Sequence, residues 1–306
     1  MGKILIYYKY TDIEDPHAIM QWQQTLCKEL GITGRILLAK EGINGTVGGT
    51  DEATESYKKA MAEHPLFADM PIKSSEGGAH HFPKLRVAVR NEIVTLGLSP
   101  DEIKATGERT HLSPEQVHEL LNNKPEDLVI LDARNTYESA IGAFKDAVIP
   151  DIENFRDFPQ YIKDNLDKFK DKQVLMYCTS GVRCERATAV LERENVAKSV
   201  HQITGGVQCY ADKFPEGHFR GKNYVFDGRI AMKVNEDVLG SCYICAKPWD
   251  DYTNCLNVLC NRQHLSCPTC IAKLENTCSK ECQELVKNGL VEIRVSRART
   301  ELKHDT

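Results

Sequence analysis

The chain has no apolar run near the ~20 residues that a membrane span requires. Its start, Met1-Gly2-Lys3-Ile4-Leu5-Ile6-Tyr7-Tyr8, turns polar too soon for a signal peptide. A cytosolic protein is the expectation. It also lacks an excess of charge of one sign. Thirty-nine basic residues face 44 acidic ones, and the formal charge of −5 is spread evenly along the sequence. That excludes the broad basic field of a strong nucleic-acid binder, so any RNA contact must rest on a local patch. Tryptophan is almost missing. Trp22 and Trp249 are the two present, and both read as packing residues rather than base-stacking platforms. Cysteine, by contrast, is plentiful at 12, and in a reducing compartment most of these stay thiols.

One cysteine stands in a special place. Val174-Leu175-Met176-Tyr177 reads as a buried strand, and Glu185 to Glu194 reads as a helix with Ala187, Ala189, Val190 and Leu191 inward. Between them lie Cys178, Thr179, Ser180, Gly181, Val182 and Arg183. A glycine-containing loop from strand end to helix start aims successive N–H groups and the positive helix end at one anion. The same field favours thiolate over thiol, and Arg183 adds positive charge. Cys178 therefore reads as a nucleophile, with Arg183 beside it and Thr179, Ser180, Gly181 and Val182 forming the cradle. The phosphate-binding version of this design spaces its arginine one residue further on. The shorter loop here suits the outer sulfur of a cysteine persulfide better, and resembles the loop of single-domain rhodaneses. Cys184 reads as packing in the first helical turn. Asp132, Arg134 and Glu138 follow the strand Leu128–Leu131. Arg134 and Glu138 read as an ion pair that fixes the loop after that strand, while Asp132 is left between that role and support of the Cys178 loop.

The pattern divides the chain. Residues 1–98 read in the order β-α-β-β-α-β, with the last strand over Lys84 to Leu96, which is the ferredoxin-like or acylphosphatase-like α+β plan. Ser99 to Thr110 is a polar connection. Residues 111–234 alternate strand and helix, which argues an α/β domain with a parallel sheet. Ligands of such sheets bind beyond the carboxyl ends of the strands, where Cys178 lies. Residues 235–285 are cysteine-rich, and 286–306 read as a charged tail. In the cysteine-rich segment Cys242, Cys245, Cys255, Cys260, Cys267, Cys270, Cys278 and Cys282 are enough for two tetrahedral thiolate sites. Zinc is the natural occupant, in a structural role. Spacing does not say which cysteines share an ion, and His264 is not needed as a ligand.

A family resemblance rests on several blocks. They are Glu41-Gly42-Ile43-Asn44-Gly45-Thr46, Glu92-Ile93-Val94-Thr95-Leu96-Gly97, Asp132-Ala133-Arg134-Asn135-Thr136-Tyr137-Glu138, Phe155-Arg156-Asp157-Phe158-Pro159, Tyr177 through Glu185, Val225-Phe226-Asp227-Gly228-Arg229, and the cysteine cluster. Taken in order, they make the whole chain resemble the bacterial rhodanese-domain tRNA uridine 5-hydroxylases that act at the wobble position. Ser180 departs from the pattern, standing where glycine is usual. The resemblance implies a rhodanese-like central domain and oxygen-dependent conversion of wobble uridine to 5-hydroxyuridine. Molecular oxygen would be the co-substrate, the tRNA anticodon loop the partner, and Cys178 essential. The residues alone point to a sulfurtransferase carrying a persulfide, so both readings stand. Candidate RNA contacts near Cys178 are Arg183, Arg186 and Arg156, with Lys40, Lys84 and Arg86 from the N-terminal domain.

Overall fold

A computed structural model of the chain describes residues 2–105 and 110–294. Two compact units follow one another, with the boundary at Asn235. The first opens with β1 (Gly2–Tyr10), α1 (Pro16–Glu29), β2 (Thr33–Ala39), β3 (Gly42–Thr50), α2 (Asp51–Glu63), β4 (Ile72–Glu76) and β5 (Leu85–Val89). Both helices are started by side chains: Asp15 accepts the N–H groups of His17 and Ala18, and Thr50 accepts that of Ala53. The strands form one sheet in the order β4-β1-β3-β2-β5. Alternation gives it two unlike faces. Leu5, Tyr7, Ile36, Leu38, Ile43 and Val47 are buried in one core with Tyr57 and Met61 of α2. Ile6, Tyr8, Arg35, Leu37, Asn44 and Thr46 occupy the alternate positions.

The acylphosphatase-like order is present, but its fourth strand is not the expected one. β4 is Ile-Lys-Ser-Ser-Glu, whose single apolar residue leaves no strand signal. The expected strand over 84–96 is an additional one, β5, parallel to β2 and ending at Val89. Beyond it the chain is held by carboxylates. Glu41 accepts the Ile93 N–H, and Glu92 accepts those of Leu96 and Gly97.

The remainder of this unit comprises β6 (Thr110–Leu112), α3 (Pro114–Asn123), β7 (Leu128–Asp132), α4 (Thr136–Ser139), β8 (Gly142–Phe144), α5 (Phe158–Asp164), β9 (Gln173–Tyr177), α6 (Cys184–Glu194), β10 (Ser199–Ile203), α7 (Gly206–Lys213), β11 (Phe219–Tyr224) and β12 (Ala231–Lys233). Four parallel strands run in the order β6-β10-β9-β7, the rhodanese-like parallel sheet. A core that includes Phe158, Phe169, Val174, Met176 and Val190 contains residues of β9, α5 and α6. Another, with Val117, Leu175, Tyr210 and Phe219, joins β9 to α3 and α7. The expected polar connection over 99–110 falls partly outside the described residues.

The second unit is small: β13 (Tyr252–Asn254), β14 (Gln263–Leu265), α8 (Pro268–Lys273) and α9 (Lys280–Lys287). The expected tail over 286–306 is not all tail. Val258 donates to the Glu292 carbonyl and Arg294 to that of Leu256, at 3.1 and 2.7 Å. Residues 295–306 lie outside the described part. No described helix is long and apolar enough to cross a membrane.

Candidate active site

Cys178 leaves β9 at its carboxyl end, and the loop from 178 to 183 delivers the chain into α6. The one left-handed residue in this loop is Gly181, at φ 105°. Ser180 has no positive φ, so a serine sits there without backbone strain. Gly181 also lies against Tyr8, whose hydroxyl would be 2.7 Å from any added Cβ.

The sulfur of Cys178 is fully buried and accepts the Gly181 N–H at 3.2 Å. Burial by itself pushes its pKa up. Donation by the Cys184 thiol, the charge of Arg183, and the N–H groups of Cys184 and Arg183 outweigh that and bring it from 9.0 to about 5. Cys184 pays for this arrangement: burial, and then its bond to Cys178, raise its own pKa well above the ordinary thiol value. Cys184 is at the same time packed in the core with Val190 and Leu191, as expected of it.

Arg183 does not point freely into the cradle. Both its terminal nitrogens bind Glu138, at 2.6 and 2.7 Å, and one also reaches Thr179 Oγ1 at 3.3 Å. Glu138 thus braces the Cys178 loop and does not pair with Arg134, as the sequence suggested. The alternation of charges along 132–138 could not show a partner 45 residues away. Asp132 instead takes Arg134, at 2.7 to 3.2 Å, and the Ser139 hydroxyl at 2.7 Å. Arg134 also donates to the Gly142 carbonyl. Asp132 thus fixes the turn after β7; it makes no hydrogen bond to residues 178–183, but its charge acts on Arg183 of that loop. A second turn backs the loop. Val207 and Gln208 donate to the carbonyls of Cys178 and Thr179, at 2.9 and 3.1 Å. Gly206 sits at φ 64°, where a Cβ would come within 2.4 Å of the Cys178 carbonyl oxygen.

The N-terminal sheet presents its second face to this loop. Tyr10 donates to the Val182 carbonyl at 3.1 Å, Tyr8 to Glu185 at 3.2 Å, and Lys73 to the Gly205 carbonyl at 2.7 Å. Arg186, a candidate RNA contact, is fully buried and binds Glu41, Glu92 and the Leu98 carbonyl at 3.2, 2.9 and 2.7 Å. It is a tie between domains. Arg183, spent on Glu138, is likewise no surface cation.

Between sheet and loop lies a cavity of about 440 Å³ with Cys178 in its lining. Its polar walls include Arg35, Asn44, Asn135 and Arg156, and its aromatic ones Tyr137 and Phe226. Phe226 is 58 % exposed and has the Arg183 guanidinium 5.6 Å from its ring centre. Asn135 is buried; its amide N–H reaches Tyr137, and its Oδ1 has no hydrogen-bond partner. Of the other basic candidates, Arg156 lines the cavity, whereas Lys40, Lys84 and Arg86 are exposed and do not. Arg35, which the sequence reading passed over, pairs in register with Arg86. Its pKa is lowered by burial and then by the charges of Arg86 and Arg90. Strand alternation from Ile36 and Leu38 was the signal for its face. Asn135, Tyr137 and Phe226 lie in blocks that carry the family resemblance, but nothing in those blocks showed that they line one cavity.

The eight C-terminal cysteines form two groups whose sulfurs lie within 4.8 Å of one another, and either group has the donors of a metal site.

Three family models match the chain: the UPF0176 acylphosphatase like domain over residues 2–93, the rhodanese-like domain over 113–213, and the rhodanase C-terminal over 220–283. A protein of Corynebacterium urealyticum, named tRNA uridine(34) hydroxylase, is 43% identical over 289 residues, covering 92% of this chain and 97% of its own. One of Bacillus pumilus with the same name is 42% identical over 294 residues, covering 94% and 89%. Among solved structures, a rhodanese-like domain protein from Staphylococcus aureus aligns with 33% of this chain and 90% of its own, at 22% identity and a TM-score of 0.28.

Proposed function

The chain belongs to the tRNA uridine(34) hydroxylase family, and on that premise we propose that it hydroxylates C5 of uridine 34 in tRNA, with molecular oxygen as co-substrate and Cys178 as the reacting residue. The observation that carries this reading is a thiol brought to a pKa of about 5 in the lining of a cavity of about 440 Å³. The wobble base belongs to a single-stranded loop, where bases can be turned out and stacked on aromatic side chains. Phe226 and Tyr137 offer such faces. The unpaired Oδ1 of Asn135 offers an acceptor for the uracil N3–H. Arg35 and Arg156 stand where flanking phosphates would pass.

In this reading the Cys178 thiolate adds to C6 of uracil and makes C5 electron-rich. C5 then bonds to O2. One oxygen atom stays as the hydroxyl, and the other leaves as water on two electrons and two protons from an external reductant, a low-molecular-weight thiol by class. Loss of the C5 proton and expulsion of the Cys178 sulfur from C6 restore the ring.

Nucleoside mass spectrometry of tRNA from a deletion strain tests the function. Loss of 5-hydroxyuridine derivatives, restored by the wild-type gene but not by Cys178→Ser, is expected. Loss of thiolated nucleosides instead would favour the persulfide carrier. The chemistry is tested separately with tRNA bearing 5-fluorouridine at the wobble position. A covalent Cys178–RNA adduct is expected, and its absence during turnover would remove Cys178 from the nucleophile's role.

A further inference from the structure

The second unit holds eight cysteines that the cavity does not use. We propose that they bind two zinc ions in an interleaved order, with Cys242, Cys245, Cys267 and Cys270 on one ion and Cys255, Cys260, Cys278 and Cys282 on the other. This assignment does not depend on the reading of the cavity.

The distances support metal rather than disulfides or idle thiols. Four thiolates about 2.3 Å from one zinc ion stand about 3.8 Å apart along each tetrahedral edge. The sulfurs of Cys245 and Cys267 are 3.7 Å apart, those of Cys260 and Cys278 3.5 Å, and those of Cys278 and Cys282 3.9 Å. A disulfide would need about 2.05 Å, and every cysteine is free. The geometry repeats between the groups. The Cys267 N–H points to the Cys242 sulfur at 3.4 Å, and the Cys278 N–H to the Cys255 sulfur at 3.4 Å. In each case the third ligand's backbone supports the first ligand's sulfur, as the outer contacts of thiolate ligands do. Asn257 adds an N–H···S contact to Cys282 at 3.5 Å. All-sulfur, four-ligand tetrahedra select zinc or iron, and zinc is the redox-silent choice for a structural site.

The order of ligands explains how so little chain folds. Apart from cysteines, the buried apolar residues described in this unit are Tyr252, Leu265 and Leu274. That core is too small to order some 60 residues without a staple. Each proposed ion joins a pair of ligands before the β13–β14 hairpin's second strand to a pair after it. Neither half of the unit can then complete a site alone. Metal binding and folding of the unit become one event, with the thiol protons released as the ligands engage. His264 is buried but belongs to neither group.

The test uses full-length protein purified with zinc. Native mass spectrometry should find two zinc ions per chain. Two double variants separate the pairings. Interleaving predicts that Cys242→Ser with Cys267→Ser removes one ion and leaves the other, whereas Cys242→Ser with Cys255→Ser damages both sites. Sequential pairing predicts the reverse. Graded chelation of the wild type, followed by alkylation and peptide mapping, avoids reliance on variants that fail to fold. The first cysteines labelled should be one of the two proposed sets of four. A zinc content below one per chain, two irons in place of zinc, or joint labelling of Cys242, Cys245, Cys255 and Cys260 ahead of the rest would overturn the assignment.

Discussion

Replacing Cys178 by serine should make the stability of the protein respond differently to pH, because a serine hydroxyl does not ionise in the working range. The folded thiol has its pKa lowered from 9.0 to about 5. A depressed value means that the folded state holds the thiolate better than the unfolded chain does. The stabilisation is therefore complete above the unfolded pKa and disappears as pH falls through the folded one. With about 1.36 kcal/mol per unit, the wild type gains roughly 2.7 kcal/mol from this group at about pH 7 and roughly 0.4 kcal/mol at about pH 5. The unfolding free energy of the wild type minus that of Cys178→Ser should thus rise by about 2 kcal/mol between those two conditions. Urea denaturation at both pH values measures it, and other titrating groups largely cancel in the difference. The rate of alkylation of Cys178 should show a midpoint near the same folded pKa of about 5. A stability difference that is flat with pH, together with an alkylation midpoint near the ordinary thiol value, would refute the thiolate.

Cys184→Ala should move the Cys178 alkylation midpoint upward, since it deletes the side-chain donor to that sulfur. Glu138→Gln leaves the buried Arg183 without its charge partner, so denaturation should show a loss of about 3–5 kcal/mol. Gly206→Ala forces a side chain into a left-handed position 2.4 Å from the Cys178 carbonyl oxygen; the strain of about 1–3 kcal/mol should lower the melting temperature and slow Cys178 alkylation. Arg35→Ala and Arg156→Ala should each weaken tRNA binding and reduce its salt slope by about one unit.

What the sequence made legible follows from range. The Cys178 loop could be read because strand, loop and helix are contiguous, and hydrophobic periodicity marks both flanks. The N-terminal plan was readable for the same reason, except at Ile72–Glu76, where an edge strand with one apolar residue carries no periodic signal. Long-range pairing was hidden. Arg183 and Arg186 look alike in sequence, three residues apart at the start of one helix. One meets Glu138 in the wall of the cavity and the other meets Glu41 and Glu92 away from it. The cavity is lined from both domains, so the sequence blocks that hold its aromatic and amide groups did not show that they meet at one site. The cysteine spacing suggested metal ligands but not how they group, because the grouping depends on how distant turns come together around β13 and β14.

The position of Arg186 also bears on how this protein can be taken apart. A buried guanidinium whose two carboxylates and one carbonyl all come from residues 41–98 makes the rhodanese-like domain a poor independent module. Cutting the chain at residue 98 would not yield a smaller catalyst with an open mouth. It would leave an uncompensated cation at the base of the very helix that follows the Cys178 loop. Truncation and domain-swap experiments would then report damage to the loop as though it were loss of tRNA contacts. Any graft of this N-terminal domain onto another rhodanese needs an arginine at the equivalent of position 186 before its surface charges can be tested.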